Sequence, residues 1–305
     1  MALALCCRPM KNFPKTLDSV DIAALARQQV ALALAEDVGS GDLTARLIDR
    51  NRVAHARIVA RESAVLCGSP WVAAALTALD PNVQLNWLVA EGQTCVANQT
   101  VLELQGSARS LLTAERTALN FLQLLSGVAS KTALYVAAVA GTRAQIVDTR
   151  KTLPGLRLAQ KYAVRIGGGV NHRIGLYDAI LIKENHIAAA GGVAQVLAQA
   201  KIHGSTAAFI EIEVETLEQL REALTHGAAM VLLDNMDLAT LRAAVALNQE
   251  IGSPRSMGAA ILEISGGVTL EGLRTLAETG VDRISIGALT KDLRATDFSM
   301  RFDPL

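Results

Sequence analysis

From Gln145 to about Ile286, short apolar runs of strand length alternate with patterns of helical spacing. Six strands are predicted, at 145–147, 179–182, 209–214, 230–233, 260–264 and 283–286. Helices are predicted between them, at 156–165, 193–202, 217–225, 238–247 and 270–278. Such alternation is typical of parallel strands joined by crossover helices. Because no dinucleotide-binding fingerprint follows the first strand, the pattern favours a parallel α/β barrel over an open doubly wound sheet.

Polar residues and glycines stand at the ends of these strands, where packing would favour apolar residues. They are Arg150 and Lys151 after the first strand, Lys183 after the second, Glu213 on the third, Asp234 after the fourth, Ser265, Gly266 and Gly267 after the fifth, and Gly287 after the sixth. The C-terminal strand ends of a parallel barrel all lie on one rim, where active sites are found. We therefore expect these residues to converge on one mouth.

The positive charges expected at this mouth indicate an anionic substrate. They come from Arg150, Lys151 and Lys183 at strand ends, and from His172 and Arg173 in the loop before the second strand. Arginine can bind a carboxylate or a phosphate through two parallel hydrogen bonds, so these residues suit a ligand with several acidic groups.

The remaining rim residues suit a metal and a phosphate. Glu213 and Asp234 offer the oxygen ligands of Mg²⁺, which takes few carboxylates together with substrate phosphates. Glycines after the last two strands suit a phosphate held by backbone N–H groups. Taken singly, Arg150-Lys151 fits a solvated turn, and Gly266-Gly267 fits a plain strand–helix turn. Their coincidence at equivalent strand ends favours the site.

The first 130 residues mix strands and helices without a repeating order. Strands are predicted at 56–60, 64–67, 83–89 and 101–105, and helices at 20–36, capped by Ser19, and at 71–79. These elements predict an α+β sandwich. A long helical pattern begins at Ala108, breaks at Ser126-Gly127 and resumes through Val139, so we place the domain junction there.

These patterns divide the chain into two domains. The N-terminal α/β sandwich domain is expected at 1–125 and the α/β-barrel domain at 126–289. The C-terminal tail, at about 290–305, is expected to return to the N-terminal domain.

The composition excludes several classes of protein. The 29 Lys and Arg residues balance 29 Asp and Glu residues, and aromatic residues make up only 3%. The chain therefore lacks the positive field and the stacking surfaces of a nucleic-acid-binding protein. No apolar run reaches the roughly 18 residues that a membrane-spanning helix needs, so no membrane partner is expected.

The N-terminus and the cysteines indicate a cytoplasmic protein. The apolar start at Met1 lacks the basic residues that precede a signal-peptide core, and we expect a disordered terminus there. The four cysteines have no metal-ligand spacing, as expected of idle thiols in a reducing cytoplasm. They are Cys6, Cys7, Cys67 and Cys95.

Several segments closely resemble the quinolinate phosphoribosyltransferase family, whose members are also called carboxylating nicotinate-nucleotide pyrophosphorylases. The segments are ERTALN at 115–120, DTRKTLPGLR at 148–157, KYAV at 161–164, GGG at 167–169, NHR at 171–173, LIKENH at 181–186, LDN at 233–235 and EISGGV at 263–268. The resemblance runs from about Glu36 to Arg301, and DTRKTLPG is highly specific to this family and its close relatives. Departures are confined to the start, up to about Asp18, and to residues around 252–258.

The resemblance implies an enzyme of de novo NAD biosynthesis. Quinolinate and phosphoribosyl pyrophosphate would give nicotinate mononucleotide, pyrophosphate and CO₂, with Mg²⁺ as cofactor. It also implies an N-terminal α/β sandwich, an incomplete α/β barrel and a homodimer, with dimers that could stack into a hexamer. In that dimer, Arg116 would reach the active site of the neighbouring subunit.

By the same resemblance, Arg150, His172, Arg173 and Lys183 would neutralise and orient the quinolinate carboxylates. Lys151 would contact the phosphates, and Ser265, Gly266, Gly267 and Gly287 would hold the 5′-phosphate. Glu213 and Asp234 would serve Mg²⁺, the ribose hydroxyls or both. Together, Lys151, Lys183, Glu213 and Asp234 form the predicted catalytic set.

Two other activities are weighed against this one. The resemblance extends to a molybdenum-transport-associated relative of the same fold, but the full set of His172, Arg173 and Lys183 favours the quinolinate enzyme. Lys183 at a strand end could instead form a Schiff base, as in barrel aldolases. The surrounding acids oppose that role. A non-enzymatic phosphate sensor would have no need for paired carboxylates opposite five cations.

Overall fold

The computed structural model describes residues 17–252 and 258–303. The expected disordered start, with Cys6 and Cys7, lies outside these residues, as does most of the departure around 252–258. Cys67 and Cys95 are buried free thiols.

Residues 17–138 form three helices, five strands and a single 3-10 turn at Ala45–Leu47. The helices are α1 (Ile22–Val38), α2 (Ser69–Leu79) and α3 (Ala108–Ala138), and the strands are β1 (Val53–Ala60), β2 (Ala64–Val65), β3 (Gln84–Trp87), β4 (Thr94–Cys95) and β5 (Thr100–Ser107). Strand β1 alternates exposed and buried residues, with Ala54, Ala56 and Ile58 facing the core. This period of two is expected for a sheet with one face covered by helices.

The second part alternates strands and helices, as the sequence predicts. Its strands are β6 (Gln145–Val147), β7 (Ile180–Ile182), β8 (Ile210–Val214), β9 (Met230–Asp234), β10 (Ile261–Ser265), β11 (Arg283–Ser285) and β12 (Phe298–Phe302). Its helices are α4 (Arg157–Ile166), α5 (Glu184–Ala190), α6 (Val193–His203), α7 (Leu217–Thr225), α8 (Leu238–Gly252), α9 (Leu270–Ala277) and α10 (Ala288–Lys291).

The sheet topology confirms an incomplete parallel barrel beside a separate antiparallel sheet. Six parallel strands run in the order β6-β11-β10-β9-β8-β7. The pairing of β11 with β6 is the one that curls a sheet towards closure, and β6 and β7 are left as the two edges. The N-terminal sheet has the order β12-β1-β5-β3, so the last strand completes the first sheet.

Helix α3 is continuous, whereas the sequence pattern predicts a break at Ser126-Gly127. Both small residues serve packing. The Ser126 hydroxyl accepts from the Cys67 N–H at 3.0 Å and donates to the Cys67 carbonyl at 3.1 Å. A Cβ at Gly127 would collide with the Arg294 carbonyl oxygen, so glycine lets the tail cross the helix. The expected domain junction therefore falls within one helix.

By length and composition, α3 is also the one helix of the described residues that could cross a membrane. The apolar runs of the sequence do not indicate it, because the predicted break at Ser126-Gly127 ends the helix early. Half of its most apolar stretch is buried within the protein, as in the core helix of a folded domain.

One further prediction about helices is wrong, and one helix was missed. Helix α1 begins at Ile22, and Asp21, rather than Ser19, caps it by accepting from the Ala24 N–H at 3.0 Å. Helix α5 was not predicted, because none of its residues is buried and it therefore has no apolar periodicity.

Candidate active site

The strand ends bring the predicted polar residues to one rim of the barrel. Lys183 caps the N-terminus of α5 directly after β7, and Glu213 lies near the end of β8. Asp234 and Ser265 end β9 and β10 and are register partners across these two strands. Gly287 caps α10 just after β11. Parallel pairing places all of these ends on the same side.

An ion pair joins two of these residues. Lys183 Nζ lies 2.9 Å from Glu213 Oε2. The Glu213 side chain is only 12% exposed, whereas that of Lys183 is 45% exposed. The Glu213 side chain is therefore held by its surroundings in the barrel, whereas the Lys183 side chain is free to turn towards the open mouth.

Two arginines face the same space. Arg173 is buried, and it donates from Nη1 to the Ala179 carbonyl at 3.3 Å. Burial and then the nearby charge of Arg150 lower the pKa of Arg173. The buried Nε of Arg150 has no hydrogen-bond partner in residues 17–252 and 258–303. Two adjacent cations with unused donor capacity form a site for an anion with several oxygens.

Lys151 and the glycines lie together on the other side of the rim. The Lys151 side chain lies over Gly287, where an added Cβ would be 3.2 Å from Lys151 Cδ. The Lys151 backbone is fixed by α10, because the Lys151 carbonyl accepts a hydrogen bond from Thr290 Oγ1 at 2.7 Å. These contacts keep a cation directly beside a partly exposed glycine.

The turn after β10 requires glycine. Gly266 has φ +100°, and a Cβ there would collide with Asn235 Oδ1. Asn235 itself has φ +51°, and it donates from Nδ2 to Asp234 Oδ2 at 2.9 Å. Asn235 therefore connects a predicted metal ligand with the predicted phosphate loop. Ser265, Gly266 and Gly267 are only partly buried or exposed, so the turn is open to a ligand.

His172 lies below the rim and is 5% exposed. Its Nε2 lies 2.8 Å from Glu211 Oε2 and 3.6 Å from Glu263 Oε1. Its Nδ1 accepts from the Arg173 backbone N–H at 2.8 Å. Burial opposes a charge on His172, but Glu263 and Glu211 outweigh it and raise the pKa of His172. A direct bond from His172 to a substrate carboxylate, as predicted, would have to replace one of these contacts.

The carboxylates below His172 belong to a network of charges within the barrel. Arg283 Nε lies 2.8 Å from Glu263 Oε2, and Ser285 Oγ donates to Glu263 Oε1. Burial and the charge of Glu263 raise the pKa of Glu211. His172, Glu211 and Glu263 are metal ligands by type. However, Arg283 already supplies the positive charge that a cation would bring, so the group suits an internal network better than a metal.

A second buried pair supports the segment that carries His172 and Arg173. Lys161 forms an ion pair with Asp148, and both side chains are fully buried. Asp148 also accepts from the His172 N–H at 2.8 Å, and Lys161 donates to the His172 carbonyl at 3.0 Å. Burial raises the pKa of Asp148 and lowers that of Lys161. These bonds fix the backbone of the segment that leads into Arg173.

The predicted metal ligands agree with Mg²⁺ in their chemistry. Glu213 and Asp234 supply carboxylate oxygens from neighbouring strands, and both are partly exposed at the mouth. One oxygen of each carboxylate accepts a hydrogen bond. The donor is Lys183 Nζ for Glu213 and Asn235 Nδ2 for Asp234. The hard oxygen donor set suits a hard cation that also binds phosphate oxygens.

Arg116 lies apart from these residues in the structure. It is exposed on α3, in the N-terminal part. No hydrogen bond or ion pair joins it to a rim residue in the part of the chain that the structure describes. Its predicted role needs a second subunit.

Sequence reasoning missed the supports beneath the rim, which are Asp148, Lys161, Glu211, Glu263 and Arg283. Each is a charged residue that is at most 1% exposed. The available signal was a charge at an inward position of an apolar strand, as at Glu211 and Glu263. Such residues are rarely buried without a partner, so each one indicates a network.

Known proteins match this chain along nearly its whole length. Residues 42–126 match the family described as quinolinate phosphoribosyl transferase, N-terminal domain, and residues 128–301 match its C-terminal domain. The carboxylating nicotinate-nucleotide pyrophosphorylase of Mycobacterium leprae is 42% identical over 282 residues, which cover 90% of this chain and 96% of the relative. A mitochondrial decarboxylating quinolinate phosphoribosyltransferase of Nicotiana tabacum is 36% identical, with coverage of 91% and 82%.

A solved structure agrees with these matches. The nicotinate-nucleotide pyrophosphorylase of Francisella tularensis superposes with a TM-score of 0.87 at 41% identity, covering 94% of this chain and 99% of that one. With two consecutive domain matches and relatives of this similarity, the chain belongs to the quinolinate phosphoribosyltransferase family.

Proposed function

We propose that this protein transfers the phosphoribosyl group of phosphoribosyl pyrophosphate to quinolinate and releases nicotinate mononucleotide, pyrophosphate and CO₂. The single observation that carries the proposal is the arrangement of the rim. Arg150, Arg173 and Lys183 gather positive charge, while Glu213 and Asp234 stand opposite them. A dianionic acid and a metal-bound pyrophosphate are the ligands that such a rim fits.

The arginines and Lys183 form the quinolinate end of the site. Arg173 is held by the Ala179 carbonyl, and Arg150 has a buried Nε that still lacks an acceptor among the described residues. A substrate carboxylate between them would relieve the repulsion of two like charges. Lys183 would bind the second carboxylate by turning away from Glu213.

The phosphates bind at the other end of the rim. Lys151 would contact the pyrophosphate oxygens, and Ser265, Gly266, Gly267 and Gly287 would hold the 5′-phosphate through backbone N–H groups. This placement agrees with the open, positive-φ turn at Gly266 and Gly267. It sets the ribose between the two ends, next to Asp234.

The bond changes follow from this geometry. The quinolinate ring nitrogen forms a C–N bond to the ribose carbon as the C–O bond to pyrophosphate breaks. Glu213 and Asp234 stabilise the positive charge that develops on the ribose. The C–C bond to the carboxylate next to the nitrogen then breaks, and its electron pair stays on the ring carbon, which takes a proton as CO₂ leaves.

Glu213 and Asp234 would hold Mg²⁺. When bound, the ion supplies positive charge to the departing pyrophosphate. The two carboxylates can also bind the ribose hydroxyls, since both lie at the mouth.

A homodimer with shared sites completes the proposal. Exposed apolar side chains lie on the same helix and on a segment bound to it, with Leu112 one turn before Arg116 on α3 and Leu43 and Leu47 in the loop before β1. That loop is fixed to α3, because Thr113 donates to Asp42 Oδ2 at 2.9 Å. An exposed apolar patch of this kind marks an interface. It would cover the barrel mouth of a second copy and bring Arg116 to the quinolinate of that site.

The Schiff-base alternative is disfavoured by a specific contact. A Schiff base needs a neutral amine, and Lys183 instead faces Glu213 in an ion pair. For location, the buried free thiols of Cys67 and Cys95 agree with the reducing cytoplasm that we propose.

The test is a direct assay. The purified protein is incubated with quinolinate, phosphoribosyl pyrophosphate and Mg²⁺, and nicotinate mononucleotide and CO₂ are measured together. We expect the two products in equal amounts. Nucleotide formed without CO₂, or no nucleotide at all, would contradict the proposal.

A further inference from the structure

Glu211 is a fully buried carboxylate that none of the expected substrate contacts uses. It lies on β8, two residues before Glu213 and on the same strand face, but deeper in the barrel. Its Oε2 contacts His172 Nε2 at 2.8 Å, and its Oε1 has no hydrogen-bond partner in the described part of the chain. Among the described residues, the hydrogen-bond partner of Glu211 is therefore His172.

The contact with Glu211 determines which nitrogen of His172 carries the proton. A neutral imidazole carries one proton, so a ring whose Nδ1 accepts a hydrogen bond donates from Nε2, here to Glu211 Oε2. His172 Nδ1 accepts from the Arg173 N–H and is therefore unprotonated. Phe209 packs edge-on against the imidazole at 5.3 Å between ring centroids and restricts rotation of the ring.

The orientation of the His172 ring fixes the backbone N–H of Arg173. The Arg173 backbone is bound at its N–H by His172 Nδ1, and its side chain is bound at Nη1 by the Ala179 carbonyl. Between these two bonds, the guanidinium stays near Arg150 despite the repulsion of their charges. If the proton moved from Nε2 to Nδ1, Nδ1–H would face the Arg173 N–H, and two donors would meet.

We propose that Glu211 is a positioning residue of the quinolinate pocket. It keeps His172 in the tautomer with a proton on Nε2, and His172 in turn holds the Arg173 backbone so that its guanidinium faces the substrate carboxylate. Glu211 acts through a hydrogen-bond acceptor rather than through its charge. The inference rests on the proposed function, because it assigns Arg173 to quinolinate.

The experiment compares two replacements of Glu211 with a control just after the same strand. Glu211→Gln keeps an acceptor oxygen for His172 and loses the charge. Glu211→Met keeps the approximate volume and loses the acceptor. Glu215→Gln makes the same chemical change at the exposed residue that directly follows β8. For each variant, kcat and the KM values for quinolinate and phosphoribosyl pyrophosphate are measured.

We expect Glu211→Met to raise the quinolinate KM about tenfold, the effect of one lost hydrogen bond on position, and to leave the phosphoribosyl pyrophosphate KM within about twofold. Glu211→Gln should remain within about threefold of the unchanged protein in both values. Glu215→Gln should change neither. A Glu211→Gln enzyme as impaired as Glu211→Met would overturn the acceptor role, and equal effects on both KM values would indicate general damage to the barrel.

A spectroscopic measurement tests the tautomer without any assay. The chain has five histidines, so ¹⁵N-histidine labelling gives a small set of signals, and the His172 signals are those missing in His172→Gln. At a pH above the raised pKa of His172, where the imidazole is neutral, we expect a bare Nδ1 and a protonated Nε2 in the unchanged protein and in Glu211→Gln. A proton on Nδ1 would overturn the inference even if Glu211→Met fails to fold. An unchanged protein without activity would refute the proposed function alone, since the tautomer is read independently.

Discussion

Lys183 and Glu213, thirty residues apart in the chain, form an ion pair of 2.9 Å between Nζ and Oε2. The pair joins the ends of two neighbouring strands and connects the cationic and the acidic halves of the mouth. A dianionic substrate competes with Glu213 for Lys183, and a metal ion competes with Lys183 for Glu213. The first three predictions concern this arrangement.

The surplus of cations predicts strict substrate choice. We expect quinolinate to be used and nicotinate, which lacks one carboxylate, to have a kcat/KM at least about a hundredfold lower. The physical reason is that a buried cation left without its anion costs free energy in the complex. Initial rates with the two acids measure this ratio. Similar specificity constants for both acids would show that the cations do not select the substrate.

The carboxylates of the mouth predict dependence on a metal. Activity should disappear with excess chelator and return with Mg²⁺. Glu213→Ala and Asp234→Ala should each lower kcat about a hundredfold and change the quinolinate KM much less, since they act on the pyrophosphate and ribose. Glu215→Ala serves as the control, because Glu215 is an exposed carboxylate directly after β8. Full activity in chelator would remove the metal from the mechanism.

Subunit exchange tests the shared site. Arg116→Ala and Lys183→Ala are each expected to be inactive. If Arg116 serves the neighbouring barrel, half of the randomly exchanged dimers are mixed, and each contains one intact site. Activity should then recover to about a quarter of the unmodified enzyme. A mixture of Arg150→Ala with Lys183→Ala is the control, because both residues belong to the same barrel and no intact site can form. Lack of recovery, with exchange shown by mass spectrometry, would place Arg116 in its own subunit's site or outside any site.

The buried pair of Asp148 and Lys161 predicts a large effect on stability. Lys161→Met leaves the Asp148 carboxylate buried without its cation and should lower the free energy of unfolding by about 3–5 kcal/mol. Arg165 lies on the same helix as Lys161 and forms a half-exposed ion pair with Asp18. Arg165→Met removes this pair and should lower the free energy of unfolding by about 1 kcal/mol or less. Urea unfolding measures both. Equal effects would mean that the buried pair contributes no more than the surface one.

The N-terminal domain is predicted to support the loop that carries Arg150 and Lys151. Gln29 on α1 donates to the Gly155 carbonyl at 2.9 Å and accepts from Trp71 Nε1 at 2.8 Å. Gln29→Met should raise the KM for phosphoribosyl pyrophosphate about fivefold, the effect of losing roughly one net hydrogen bond. Amide exchange in residues 148–156 should become faster.

Gln28 provides the matched control for this change. It is the neighbouring residue on α1 and is exposed, so Gln28→Met alters the same chemistry without touching the loop. We expect normal kinetics and normal exchange. If Gln29→Met behaves like Gln28→Met, then the loop is held by its barrel contacts alone, such as the bond from Leu153 N–H to Gln160 Oε1 at 2.8 Å.

The amino-acid sequence contains enough information to predict the rim but not its supports. Strand ends follow from apolar runs and the polar residues after them, so the order of residues alone places Lys183, Asp234 and Ser265 on one rim. The partner of His172 could not be predicted in this way. Glu211 meets it across 39 residues, and only the curvature of the sheet decides which inward charges touch.

Local patterns also failed where packing overrides propensity. Ser126-Gly127 reads as a helix break, yet both residues are required by neighbours distant in sequence, Cys67 and Arg294. Helix α5 lacks a buried face, and its start depends on the Lys183 N–H donating to His186 Nδ1 at 3.0 Å. Periodicity carries no information on either kind of contact.

Strand β12 has a consequence for the order in which the molecule is made. Ile58 of β1 pairs with Met300, so the outer strand of the first sheet leaves the ribosome only after the whole barrel. Until then the backbone of β1 presents an open edge to other nascent chains. The N-terminal domain is translated first, but its sheet is completed only after the barrel has been translated. A chain that ends before Phe298 therefore has a complete barrel sequence and an unpaired edge at β1, which favours aggregation.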